Sequence, residues 1–159
     1  MRTLPSLGPR GEGWVLIQSV LLVLVAAAGW TLGPDWSGPL RLGGIVLGIA
    51  LLAGGIILAV RGSIDLGRAL TPVPRPRDDA RLVETGVYGL SRHPIYGGLI
   101  LGALGWATMQ ASIMALALTA ALAGFLTLKS MREETWLAAR YPAYAAYREH
   151  TRRFIPWLY

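Results

Sequence analysis

IYGGLILGALGWATMQASIMALALTAALAGFLTL, residues 95–128, runs for 34 residues without a charge. As one helix it would reach roughly 50 Å at about 1.5 Å per residue, well beyond a bilayer core of about 30 Å. Near its middle sits the polar patch MQAS, Met109 to Ser112. A polar patch inside an apolar run this long predicts a turn. The stretch therefore reads as a helical hairpin with two short arms, 95–109 and 111–128.

Two further apolar blocks precede it. One runs from Trp14 to Leu32 and is interrupted only by Gln18 and Ser19. The other runs from Leu42 to Val60, bracketed by Arg41 and Arg61. Both approach the twenty residues a spanning helix needs. The expected fold is an all-α membrane protein of one domain with about four transmembrane helices, 14–32, 42–60, 95–109 and 111–128. A loop at 61–94 and a C-terminal helical segment at 129–159 complete it. The 159 residues are 53% hydrophobic and 15% charged, with a mean hydropathy of +0.47, as such a fold requires.

Fourteen of the fifteen basic residues are arginine, and the net charge is +6. With four spans, fourteen of the fifteen fall on one side: Arg2 and Arg10, six arginines in the loop from Arg61 to Pro94, and six basic residues from Lys129 onward. This asymmetry predicts that both termini and the long loop are cytoplasmic. Charge confined to loops points to anionic lipid rather than nucleic acid. Arg2 and Arg10, the apolar run and AAAG (Ala26 to Gly29) also fit a cleavable signal segment. The apolar run continues through Trp30 and Leu32, which favours a retained span.

Cysteine is absent, which excludes disulfides, zinc–thiolate sites and a cysteine nucleophile. His93 and His150 have no ligand-like spacing, and no metal site is expected. No glycine-rich turn follows a strand pattern, so a Rossmann-type site is not expected. Gly44 and Gly48, and Gly98 and Gly102, have the spacing of closely packed membrane helices.

Polar chemistry concentrates in two places. VETGVYGLSRHPIYGGL, Val83 to Leu99, leads into the third span. Leu82, Val83, Val87 and Leu90 are too apolar for a solvated linker and predict a loop folded back on the protein or the membrane face. Pro94 suits a first helical turn. The free N–H groups of that turn, with Arg92, offer an anion site, and Tyr88 and Tyr96 offer faces to a cationic or aromatic ligand. The second place follows the last span, where Glu133 and Glu134 stand one helical turn after Lys129. Glu133 to Arg140, and a short piece after Pro142, are expected as helix against the cytoplasmic face. Tyr141, Tyr144, Tyr147, Phe154 and Trp157 are expected as an interfacial aromatic belt.

These segments together resemble the isoprenylcysteine carboxyl methyltransferase and phospholipid methyltransferase superfamily of integral-membrane enzymes. The motifs are LGRALTPVPRP, LVETGVYGLSRHPIYGG, EETWL and YPAYAAYREHTRRFIP, in family order over Leu66 to Pro156. The resemblance implies a small helical bundle whose cytoplasmic half holds S-adenosyl-L-methionine. It implies cofactor contacts from Leu82, Val83, Tyr88, His93, Pro94, Ile95, Tyr96 and Glu133. Lys129 stands where an arginine would meet an acceptor carboxylate. Glu134 or His93 would serve as base if the acceptor were an amine. The implied activity is methyl transfer to a lipophilic acceptor, foremost the carboxylate of a prenylcysteine-like compound, with phospholipid amines and small thiols as alternatives. A NADPH-dependent membrane reductase and a non-catalytic scaffold are the readings of another class.

Overall fold

The computed structural model describes residues 4–76 and 80–155. Arg2, Pro156 and Trp157, named above, lie outside the described residues, as does Arg77, one of the six arginines of the long loop. The described residues form five α-helices: α1 Glu12–Thr31, α2 Gly38–Leu66, α3 Pro94–Met109, α4 Ile113–Arg140 and α5 Tyr144–His150. α1, α2 and α4 are long and apolar enough to cross a membrane, and α3 is a shorter apolar helix. The all-α membrane fold is as expected.

The hairpin falls at the polar patch. α3 ends at Met109 and α4 begins at Ile113. The side chain of Ser112 caps α4 by accepting from Ala115 N–H at 3.3 Å, and its hydroxyl donates to Ala28 O at 3.3 Å. Gln110 Nε2 donates to Gly29 O at 3.2 Å, and Asp35 Oδ2 accepts from Ile113 N–H at 2.6 Å. The patch thus ties the hairpin turn to the end of α1 and to the following loop. Polar groups at a turn need partners, and the neighbouring helix end has spare carbonyls.

α2 and α3 pack antiparallel along a glycine seam. A Cβ at Gly55 would lie 2.6 Å from both Gly102 N and Gly98 O, and one at Gly98 would lie 2.6 Å from Gly55 O. Gly48 and Gly105 oppose each other in the same way. In lipid the hydrophobic effect does not join helices, and close backbone approach supplies the attraction instead. Gly55→Ala is expected to cost about 1–3 kcal/mol through overpacking. Gly54→Ala, with nothing within 4 Å of its Cβ, is expected to leave thermal stability in detergent unchanged. Equal melting temperatures for the two variants would contradict this seam.

α1 packs on α4, with Trp14 against Phe125 at 5.3 Å between ring centroids and Val25 and Ala28 buried. It continues without a break through Ala26 to Gly29. At Gly11, where φ is 88°, the chain turns into α1 so closely that a Cβ would lie 2.9 Å from Pro74. Pro74 of the proline-containing stretch after α2 is therefore packed, and it is fully buried, while Pro72 and Arg75 on either side are exposed.

Two helices outrun their apolar blocks. α2 continues past Val60 to Leu66 and ends in a 3-10 turn, Gly67–Ala69. α4 continues past Leu128 to Arg140 as one helix of 28 residues, about 42 Å long. The expected separate surface helix at Glu133 to Arg140 is thus the last two turns of α4. Nothing in Lys129 to Arg140 breaks a helix before Pro142. These two extensions form walls beyond the apolar bundle. The arginine-rich segments gather at this end, where α1 and α3 begin and α2 and α4 finish.

Candidate active site

Between those walls lies a cavity of about 430 Å³, within the range of about 300–1,000 Å³ usual for small-molecule sites. One side is α2 with the segment that follows it, contributing Ser63, Leu66, Thr71 and Pro72. Leu82, Val83 and Tyr88 close it from the long loop. His93, Ile95, Tyr96 and Leu99 come from the start of α3, and Lys129, Glu133 and Leu137 from one face of α4. Residues i, i+4 and i+8 on a helix share a face, which explains that last set.

The long loop reaches the cavity because it is fastened at both ends. Asp65 Oδ2 accepts from Val87 N–H at 2.8 Å. Residues 91–93 run beside the chain's end: Arg92 N–H donates to Arg152 O and His93 N–H to Arg153 O, both at 2.8 Å. The Ser91 hydroxyl donates to Phe154 O at 2.8 Å. Leu82 and Val83 line the cavity and Tyr88 is buried, while Leu90 remains exposed. Two groups of the expected anion site at the start of α3 are already partnered, His93 N–H by the Arg153 carbonyl and Arg92 by Glu134, although Arg92 also lines the cavity.

Glu133 and Glu134 have separate surroundings. Glu133 lines the cavity, accepts from the Tyr96 hydroxyl at 2.8 Å and keeps a quarter of its side chain exposed. Glu134 is not among the cavity-lining residues. Its Oε1 accepts from Arg92 Nε at 3.0 Å and His93 Nε2 at 3.2 Å, and its Oε2 faces Arg153 at 3.6 Å and Arg148 at 3.9 Å. Arg92 also donates to the carbonyls of Thr151 and Arg148. Glu134 is thus the centre of a buried charge cluster, which corrects its expected place in the reacting site.

His93 links the two glutamates, with Nδ1 3.7 Å from Glu133 Oε2, and stacks on Tyr96 with ring planes 4° apart. Lys129 is 1% exposed. Its ammonium donates to Gln18 Oε1 at 2.6 Å and Pro72 O at 3.3 Å, and lies 4.9 Å from the centre of the Tyr96 ring. The cation over Tyr96 is therefore Lys129 itself, so this ring's contribution to the cavity is its bond to Glu133. Pro94 is buried in the first turn of α3 against Gly62 and does not line the cavity.

The aromatic belt is also corrected. Tyr144, Tyr147 and Phe154 are buried, and Tyr141, Tyr144 and Tyr147 line the cavity. The Tyr147 hydroxyl donates to Tyr88 O, and that of Tyr141 to Ala80 O, both at 2.7 Å. The Tyr144 hydroxyl is buried with no partner among the described residues. Burial pushes the phenols of Tyr88, Tyr144 and Tyr147 above their ordinary range, so they are neutral donors near pH 7. Gln18, the polar break in the first apolar block, is a cavity residue that the motifs did not point to, as is Ser63.

A helical bundle with a polar-tipped cavity where its apolar blocks end defines an all-α membrane protein with a cavity of small-molecule size. The chain belongs to the phospholipid methyltransferase family, whose model matches residues 44–144. That family is part of the isoprenylcysteine carboxyl methyltransferase-like group of integral-membrane methyltransferases. A cobalt-zinc-cadmium resistance protein of Cupriavidus metallidurans, CzcN, is 35% identical over 83 residues. The match covers 52% of this chain and 38% of that protein, so it spans little more than a third of the relative's length.

Proposed function

We propose that this chain is a single integral-membrane unit that transfers a methyl group from S-adenosyl-L-methionine to a lipophilic acceptor, foremost a carboxylate such as that of a prenylcysteine-like compound. The termini and the cavity face the cytoplasm, in keeping with the positive charge gathered at that end. The observation that carries the reading is the meeting of Leu82, Val83, Tyr88, His93, Ile95, Tyr96, Lys129 and Glu133 around one cavity.

The residues present suit the cofactor. Leu82, Val83 and Tyr88 give an apolar and aromatic wall for a nucleoside. Glu133 gives a carboxylate for ribose hydroxyls or an ammonium group. The unpartnered Tyr144 hydroxyl gives a further donor. When bound, the cofactor supplies an electrophilic methyl group on a sulfonium. The chain's own part is to hold and to exclude water. Lys129, a buried cation whose partners are an amide and a carbonyl, holds the acceptor carboxylate. An ionised carboxylate needs no general base, so proximity in a dry site supplies much of the rate. Glu134 accordingly has a structural role. The family model's description favours a phospholipid acceptor as a second reading. An amine headgroup would, however, meet the Lys129 ammonium.

Titration calorimetry with S-adenosylhomocysteine on the folded, detergent-solubilised protein tests the reading. Saturable binding is expected, and its absence contradicts it. Mass spectrometry of lipid extracts after incubation with methyl-labelled cofactor then identifies the acceptor.

A further inference from the structure

We infer that Gln18 of α1 is a positioning and specificity residue, pairing with Lys129 to recognise the carboxylate head of the acceptor and to discriminate against its neutral ester. The inference rests on the methyltransferase reading above and adds to it a residue outside the segment matched by the family model, 44–144.

A polar amide inside an apolar span is costly unless it is paired or used. Ser19 beside it is satisfied within its own helix, donating to Val15 O at 2.9 Å. Gln18 instead turns to the cavity wall and meets Lys129 at 2.6 Å. An ammonium has donors only, so it must face the amide oxygen. That choice leaves the amide NH2 of Gln18 without a partner among the described residues. Lys129 also lacks a full counter-charge. No carboxylate among the described residues lies within ion-pair distance of it, and Glu133, one turn along α4, takes the Tyr96 hydroxyl instead. Its hydrogen-bonded partners are neutral and the Glu133 carboxylate acts on it only from beyond ion-pair distance, so this buried cation is underpaired. Lysine is a point charge without the planar fork that grips both carboxylate oxygens. The free amide N–H groups beside it supply the missing directional donor. An ester offers no charge to this pair, and an ammonium is repelled by it.

The test uses N-acetyl-S-farnesylcysteine and its methyl ester, which differ in the charge at the head. Binding of each to the full-length protein in detergent is measured with and without saturating S-adenosylhomocysteine. Wild type is expected to prefer the acid by about tenfold or more, the size of a charge-assisted contact. Gln18→Leu is expected to bring that ratio close to one while leaving S-adenosylhomocysteine affinity unchanged. Lys129→Met removes the ammonium that Gln18 could anchor, and adding Gln18→Leu to it is expected to lower the acid's affinity further, because the amide donors are then lost as well. If Gln18 merely anchors Lys129, Gln18→Leu will change nothing in the Lys129→Met protein, which overturns the inference. Equal binding of acid and ester to wild type also overturns it and leaves the methyltransferase reading intact. Acid preference without any S-adenosylhomocysteine binding supports this acceptor site and removes the methyltransferase reading.

Discussion

Replacing Glu134 by alanine is expected to destabilise the protein by about 3–5 kcal/mol, the cost of stranding a buried charge. Glu134 and Arg92 are 6% and 8% exposed at the side chain and 3.0 Å apart. Without the carboxylate, Arg92 and Arg153 would stay close together with no anion between them, and His93 would lose the acceptor for its Nε2. The cluster joins α4, the start of α3 and the chain's end, so its loss loosens three segments together. Arg92→Met with Glu134→Leu removes both charges and is expected to recover part of the loss, because apolar packing can replace a buried ion pair. Thermal unfolding in detergent measures both variants. A Glu134→Ala protein as stable as wild type would contradict the structural role given to this residue.

Glu133→Gln is expected to act in the opposite way, lowering affinity for S-adenosylhomocysteine roughly ten- to hundredfold while changing stability little. Glu133 has one hydrogen-bonded partner among the described residues, the Tyr96 hydroxyl, and its side chain is 24% exposed. Its charge is therefore available to a ligand, whereas that of Glu134 is consumed by the protein. Tyr96→Phe, which removes the hydroxyl that orients Glu133, is expected to weaken binding less. Calorimetry on the folded variants separates the two effects. Unchanged affinity in Glu133→Gln would mean that this carboxylate does not meet the cofactor.

The contrast between these neighbours shows where the sequence stops being legible. Adjacent residues on a helix point about 100° apart, so one glutamate faces the cavity and the other faces the arginines. The pair EE does not tell which is which without the positions of Arg92 and Arg153. The hairpin was legible because a polar patch in a long apolar run has one inexpensive explanation, and its partners Ala28, Gly29 and Asp35 follow from that placement. The reach of α4 was not, because hydropathy falls at Lys129 while the first helix breaker is Pro142. Tyr144 and Tyr147 read as interfacial anchors because their spacing and flanking arginines suit a membrane surface. Only the tail's return alongside Ser91 to His93 turns them inward. Gln18 carried a signal, a lone amide in a span, but its partner lies 111 residues away.

A structure of the protein with S-adenosylhomocysteine tests the central claim most directly. The ligand is predicted inside the cavity, in contact with Tyr88 and Glu133 and covered by Leu82 and Val83. An empty cavity at saturating ligand, or a ligand bound elsewhere on the chain, would contradict the account.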